Sequence, residues 1–349
     1  MSCSDMETSI NTSTSTSTST STSTVSCNST TSSKKEQDLQ EAEEQDLQDL
    51  LEIAAEATEL NFRGNIAVAD TTSSTRTSTS TNIPCEGPLQ GLMKTGRLPS
   101  ELLSSLESIH DHIQSQIGVS KMVPWAGVGQ DSSRLRGFGF LGPQAFRRLQ
   151  QSDIRLHAQE KNGKQAQIDQ QANQNATCIL KGKYLQIAKS AARQLIGFIH
   201  DTCTDNRTPK HLSLEQLIAY QPNLHNGARH LAAHLDWPLH EGFGKVILTV
   251  AIKQSATILI IGGKEDTLTG TQPAWKFQLK QGECYLLAGN ARNMCLHAVI
   301  ADVDVDVDDN HKHQRESLNL RFGLHTATEA HEEVTRHWQE EDEEDEDAN

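Results

Sequence analysis

The sequence predicts a mainly β fold with supporting helices, a β-barrel or jelly roll behind N-terminal helices, flanked by tails that join no core. Three observations lead there. First, seven short runs follow one another after residue 210: LEQLIAYQ, KVILTVAI, SATILIIGG, AWKFQLKQG, ECYLLAG, LHAVIA and ESLNLRFGLH. Each is rich in Val, Ile, Leu or Thr and is bounded by Gly, Pro or charged turns, the mark of strands. Second, no helical pattern separates them, which argues against parallel βαβ units and for a sandwich or barrel. Third, two segments of helical period come before the strands, and both termini are strongly polar.

Taken in order, residues 11–33 are a Ser/Thr repeat that buries nothing and is expected to be disordered. Residues 36–60 carry Leu39, Leu47, Leu50, Leu51 and Ile53 among acidic side chains, the pattern of an acidic amphipathic helix. A protein partner is one use for such a helix; a helix flanking a linker is the plainer one. TTSSTRTSTSTN at 71–82 reads as that linker. Residues 1–83 are therefore read as a disordered leader, with the folded region starting near Pro84 and running to 330. Ser100 is placed to cap a helix whose Leu102, Leu103, Leu106, Ile109 and Ile113 share a face. VPWAGVGQDSSRLRGFGFLG at 123–142 is aromatic, basic and Gly-rich. Residues 157–176, rich in Gln and Asn, read as an insertion. Tyr184, Ile187, Ala188, Ala191, Leu195 and Phe198 predict a helix over 183–200. The β core is expected at about 212–326. DVDVDVDD at 302–309 lacks the glycine turn and closing glutamate of a calcium loop and reads as a charged loop. Residues 331–349, ending in EEDEEDED at 340–347, read as a solvated acidic tail.

The bulk numbers agree. Hydrophobic residues make up 35 % of the 349, and mean hydropathy is -0.54, so part of the chain is expected to stay outside any core. The net charge of -15 sits in the tails. Residues 1–80 hold 13 acidic and 4 basic side chains, and 331–349 hold 10 and 1, leaving 23 acidic against 26 basic in between. That mildly basic body admits a polyanionic partner. Seven scattered cysteines with no CxxC pair, and no basic-then-apolar leader, predict a reducing home in nucleus or cytoplasm. No apolar run approaches the ~18 residues of a membrane span, so no membrane partner is expected.

The chemistry starts at HLAAHLDWPLHEGFGKVILTV, residues 230–250. His234 and Asp236 lie two apart at the end of a strand-like run and can share a metal. Two histidines and one carboxylate on one face of a non-haem Fe(II) leave the opposite face open for a co-substrate and O2. The third ligand should be a histidine on a later strand, and LAGNARNMCLHAVIA supplies His297 inside an apolar segment, where an imidazole needs a partner. His230 is the reserve ligand; His240, His311 and His313 compete less well. A co-substrate such as 2-oxoglutarate needs a buried, bidentate cation for its far carboxylate, a role that suits arginine. RESLNLRFGLH offers Arg315 and Arg321, an even offset that shares a strand face. Arg321, amid Leu318, Leu320 and Phe322, is the anchor expected.

From Tyr220 to Arg321 the ordered set AYQP, HLD, QSATILIIGG, LKQGECYLLAGNAR, LHAV and RESLNLRF resembles the AlkB-like branch of the 2-oxoglutarate/Fe(II)-dependent oxygenases, and the upstream RLRGFGF resembles the stretch that precedes the barrel in that family. The resemblance implies a double-stranded β-helix with His234, Asp236 and His297 on iron, and Arg321 on the distal carboxylate of 2-oxoglutarate. It implies that Tyr220 hydrogen-bonds the co-substrate and that Arg315 lies near substrate and co-substrate. Ser317 falls where an asparagine is usual in the bacterial repair enzymes. Two departures stand beside the pocket: Ile218 where those enzymes have an asparagine two residues before the tyrosine, and a longer loop between Tyr220 and His234.

The activity implied is oxidative dealkylation of N-alkylated bases in DNA or RNA, releasing succinate, CO2 and formaldehyde. Arg134 and Arg136 would then hold phosphates, while Phe138 and Trp125 (with Trp237 as a weaker choice) would stack on a base. The alternative is an oxygenase that hydroxylates a protein side chain or small molecule, favoured by Ile218, the loop and the acidic tails. A binding module without catalysis is a third reading, disfavoured by the intact ligand set.

Overall fold

The computed structural model describes residues 30–63, 66–69, 87–124, 134–151, 176–202, 208–227, 229–236, 243–262, 272–302, 314–329 and 331–332. Trp125, Trp237, His240, His311 and His313 lie outside the described residues, as do the linker 71–82, the tail 340–347, and nearly all of the Ser/Thr repeat, the 157–176 insertion and the 302–309 run. The chain divides into two compact units, residues 1–44 and 45–349.

Helix α1 spans Thr30–Glu56. In the first unit its exposed face is tied by Gln37 to Glu41 and Gln40 to Glu44, bonds between residues one turn apart. The second unit holds everything that positions the site. Its accessory elements are β1 (Thr58–Arg63), β2 (Ile66–Ala69), β3 (Leu92–Lys94), α2 (Ser100–Ile117), β4 (Val123–Pro124), β5 (Arg134–Arg136), β6 (Phe138–Phe140), α3 (Pro143–Gln150), β7 (Thr177–Ile179) and α4 (Gly182–Thr202). The main strands follow: β8 (Leu217–Asn226), β9 (His230–His234), β10 (Phe243–Lys253), β11 (Ala256–Ile261), β12 (Ala274–Leu279), β13 (Cys284–Ala288), β14 (Leu296–Ala301) and β15 (Gln314–Leu324), with the short α5 (Gly289–Asn293) between β13 and β14.

These eight strands form two antiparallel layers. One runs β8-β15-β10-β13 and the other β12-β11-β14-β9. Apart from the β11–β12 hairpin, each consecutive strand crosses from one layer to the other, which makes the core a double-stranded β-helix, or jelly roll. On one side β5 and β6 extend the first layer from β8. On the other, β3, β2 and β1 extend it from β13, and β1 also pairs parallel to β12, Thr58 opposite Trp275, so it joins both layers.

The first layer is covered on both faces, and nearly every residue of its strands is buried. Side-chain alternation sorts the residues. Tyr220, Leu224, Leu248, Val250, Leu286, Leu318, Leu320 and Phe322 face outward into a core shared with Leu106, Ile109 and Ile113 of α2 and Ala188, Ala192 and Leu195 of α4. The residues that alternate with them, Gln221, Asn223, His225, Thr249, Arg315, Ser317, Asn319 and Arg321, are polar and buried on the other face. Such an interior is costly unless something satisfies it, and it marks the functional side. Gly139 of β6 lets α2 close up, since a Cβ there would collide with Ile113.

Three expectations are corrected. Ser100 is the first helical residue of α2, preceded by Pro99, and makes no side-chain cap bond. The folded body does not begin at Pro84: Leu50 and Ala57 are buried against Leu259 and Ala298, Leu60 joins the barrel core, and Lys276 Nζ donates to Ala54 O at 2.7 Å. The apolar side of residues 45–57, expected to flank a linker or to serve a partner, packs on the barrel itself. The first strand run, LEQLIAYQ, predicts an end at Gln221, whereas β8 continues to Asn226. Pro222 is tolerated there because the neighbouring strand breaks at Gly137, whose N–H donates to Pro222 O at 3.2 Å.

Candidate metal centre

Strands β9 and β14 are paired so that His234 stands opposite His297, with a register shift just beyond His297. The two rings lie 4.1 Å apart between centroids. Leaving β9, the chain buries Leu235 and turns Asp236 back toward them. One ligand atom from each of the three residues lies within 4.8 Å of the others, and His297 Nε2 is 3.7 Å from Asp236 Oδ2. His234 Nδ1 lies 2.9 Å from the carbonyl of Ala232, which only accepts. That nitrogen therefore carries the proton, and Nε2 offers its lone pair. His297 Nδ1 is buried with no hydrogen-bond partner. Two imidazoles and a carboxylate converging in this way fit a divalent metal of the iron type.

Burial alone would raise the Asp236 carboxyl, but Arg321 above all, then His297, His234 and Arg292, hold it well below the usual carboxylate range. Burial, reinforced by His234, pushes the His297 imidazole down to about 3, against the pull of Asp236. Asp236 and His297 are thus in the charge states a cation needs.

Behind the triad runs a buried polar chain. Arg321 Nη2 donates to Asp236 Oδ1 at 3.2 Å and its Nε donates to Gln221 Oε1 at 2.5 Å. Gln221 Nε2 donates to Asn223 Oδ1 at 2.8 Å, and Asn223 Nδ2 to Ser317 Oγ at 3.3 Å. Arg292 is also buried, its Nε donating to Gly244 O at 3.0 Å.

The triad shares one cavity with Asn223, His225, Thr249, Tyr285, Arg315, Ser317 and Asn319. Arg315 is 3 % exposed, and its Nε has no partner. Burial lowers its guanidinium to about 10, so it stays charged at neutral pH. Tyr285 beside it is raised by burial, although its hydroxyl is bonded to Thr249. His225 lies between Arg134 and Arg315 in register, and burial together with those two charges holds its imidazole well below its ordinary value.

The expected ligand set, with Arg315, Arg321 and Ser317, is therefore brought together, while other expected residues are not. Tyr220 points the opposite way: it is fully buried against α4, where its hydroxyl donates to Ala188 O at 2.7 Å. The inward positions of β8 are Asn223 and His225, which repeat the Asn-x-Tyr spacing five residues later with histidine for tyrosine. Ile218 is accordingly an outer core residue rather than a changed pocket residue. Arg134 is 1 % exposed, with Nε donating to His230 O at 2.8 Å; it clasps β9 and is not presented to a phosphate. Phe138 and Phe140 pack with Leu149, Ile218 and Ala219, so neither is offered to a base. Arg136 is half-buried, 5.8 Å from the Phe138 ring. His230, the reserve ligand, pairs with Ile300 and stands outside the triad. Gln221, Asn223, His225, Thr249, Tyr285 and Asn319 were missed. Polar residues at every second position of LIAYQPNLHN and RESLNLRF were the signal that could have found them.

No family profile and no curated protein matches the chain. Solved structures similar to it include OsALKBH1, at 19 % identity and a TM-score of 0.29, covering 43 % of this chain and 66 % of that one. A prolyl-4-hydroxylase from Pseudomonas putida has 11 % identity, a TM-score of 0.34, and coverage of 68 % and 94 %. SnoN, a non-heme alpha-ketoglutarate dependent epimerase from nogalamycin biosynthesis, has 12 %, 0.34, 67 % and 79 %. At these TM-scores the jelly-roll assignment stands on the strand order of the chain itself.

Proposed function

We propose that the protein is an Fe(II)- and 2-oxoglutarate-dependent dioxygenase. The observation that carries this reading is the convergence of His234, Asp236 and His297 in a cavity whose wall also holds the buried Arg315, with its Nε free of any hydrogen bond. His234 Nε2, His297 Nε2 and one oxygen of Asp236 would hold the iron. Arg321 is occupied by Asp236 and Gln221, so the anchor for the far carboxylate of 2-oxoglutarate moves from Arg321 to Arg315, with Thr249 and Tyr285 beside it. A dianion there would give Arg315 Nε the direct, charge-assisted partner it does not have within the protein. The iron, with 2-oxoglutarate and O2, supplies oxidation of a substrate C–H bond coupled to release of succinate and CO2. The protein's own part is to orient both carboxylates and keep the cavity dry.

For the oxidised substrate, the AlkB-like resemblance of the segment 220–321 supports an N-alkylated base of DNA or RNA, losing its alkyl carbon as formaldehyde. The burial of Arg134 and Phe138 favours the second reading, hydroxylation of a protein side chain or small molecule, because it withdraws two of the contacts a nucleic acid would use.

The test is succinate formation with Fe(II), 2-oxoglutarate and ascorbate, with mass spectrometry of oligonucleotides bearing 1-methyladenine or 3-methylcytosine and Asp236→Ala as control. Loss of the methyl group only with the intact protein supports dealkylation. Succinate without methyl loss supports the second reading, and no succinate beyond the Asp236→Ala control refutes the dioxygenase.

A further inference from the structure

We infer that Gln221 is a positioning residue for the metal carboxylate, acting through Arg321; this rests on the proposed iron site and deepens it. Asp236 lies beyond the end of β9, where no strand pairing fixes its side chain. What fixes it is Arg321, whose Nη2 holds Oδ1 and leaves Oδ2 directed at His297. Arg321 can do this only in one rotation of its guanidinium, and Gln221 sets that rotation by accepting from Nε at 2.5 Å.

The amide cannot be reversed without cost. Its Nε2 donates to Asn223 Oδ1, so exchanging O and N would set donor against donor at Arg321 and acceptor against acceptor at Asn223. Gln221 is fully buried, which makes an unmade bond expensive and the orientation firm. A neutral amide also suits the place better than a carboxylate. Glutamate at 221 would compete with Asp236 for the same guanidinium and divide its charge. Outer partners of metal ligands act in this manner, by orienting the ligand and setting its basicity.

The test is titration of Co(II) into the metal-free, full-length protein, followed by the visible absorption of the bound ion without turnover. The intact protein should bind Co(II) through a site lost in Asp236→Ala. Gln221→Leu should bind about tenfold more weakly. In an Arg321→Met background, Gln221→Leu should weaken binding no further, because its effect passes through Arg321. A penalty that persists undiminished in that background assigns Gln221 a general packing role and overturns the inference, as does unchanged affinity in Gln221→Leu. Should Gln221→Leu fail to fold, the Arg321 Nε–H of the intact protein, identified by its absence in Arg321→Lys, decides: exchange with water as fast as that of exposed arginines overturns the link, and protection supports it. An intact protein that binds Co(II) no better than Asp236→Ala overturns the iron site itself, and this inference with it. A tight site unmoved by Gln221→Leu overturns the inference alone.

Discussion

Arg321 and Asp236 form a buried ion pair, Nη2 to Oδ1 at 3.2 Å, with side chains 1 % and 9 % exposed. The pair joins the last strand of the barrel to the carboxylate expected on the metal. Asp236→Ala would strand a buried guanidinium, a loss of about 3–5 kcal/mol. The metal-free variant should therefore unfold at lower urea, and Fe(II)-dependent succinate formation should vanish. A variant with normal stability and turnover would refute both roles.

Arg315 should behave in the opposite sense. Its guanidinium is desolvated and its Nε makes no hydrogen bond, so Arg315→Met removes a costly buried charge and should leave the melting temperature of the free protein unchanged or higher. The intact protein should gain stability when 2-oxoglutarate is added with metal under anaerobic conditions, and the variant should not. Its apparent KM for 2-oxoglutarate should rise at least about tenfold, the weight of one charge-assisted contact. A variant that melts lower and still responds fully to 2-oxoglutarate would return the anchoring role to Arg321.

Tyr220→Phe separates packing from co-substrate binding. Losing the bond to Ala188 O should cost about 0.5–1.5 kcal/mol, the net worth of one hydrogen bond, because that carbonyl keeps its partner within α4. The KM for 2-oxoglutarate should stay within about twofold of the intact value. A selective rise in KM would place Tyr220 back in the pocket.

Truncation tests the boundary of the body. Removing residues 1–44 should leave melting and turnover near those of the full chain. Removing 1–63 also removes Leu50 and Leu60, each 4 % exposed, and strips β1 from β12. At about 1.5–3 kcal/mol for each buried leucine, that truncation should lower the melting temperature markedly. Equal melting of the two truncations would show that the leader ends after β1.

The end of the described chain carries an acid-sensitive tie. Glu329 accepts from Lys245 Nζ at 2.7 Å and from the Thr326 N–H at 2.8 Å, while its own N–H donates to Thr326 Oγ1 at 3.2 Å, the reciprocal pattern of a capping box. Burial alone would raise its carboxyl, but these bonds bring it from 4.5 to about 2. A carboxylate depressed on folding stabilises above its unfolded value, and the contribution is lost as pH falls from about 5 toward 2. Because the Glu329 side chain is 43 % exposed, screening limits it to roughly 0.5 kcal/mol. Lys245→Met should flatten that part of the stability profile, measured by urea unfolding; an unaltered slope would deny the tie.

The sequence by itself determined the fold class and singled out the three side chains, His234, Asp236 and His297, that converge in the barrel. Strand runs declare themselves by local composition and period, and His-x-Asp with a later histidine in an apolar run is a pattern of residue types. The leader boundary was misplaced because β1 is short and acquires its meaning only from a pairing with β12, more than 200 residues away. Tertiary structure alone decided which face each strand turns inward. Alternation gives a strand two faces but does not say which is interior, and Pro222 concealed that β8 runs on to Asn226. A strand read one face over exchanges Tyr220 for Gln221, Asn223 and His225. The same ambiguity hid the division of labour between the arginines. Arg315 and Arg321 lie on one face of β15, but only the barrel shows that Asp236 and Gln221 reach Arg321 while Arg315 Nε makes no hydrogen bond. Hydrogen-bond partners across a barrel depend on closure of the two layers, a relation among distant segments that local residue patterns do not encode.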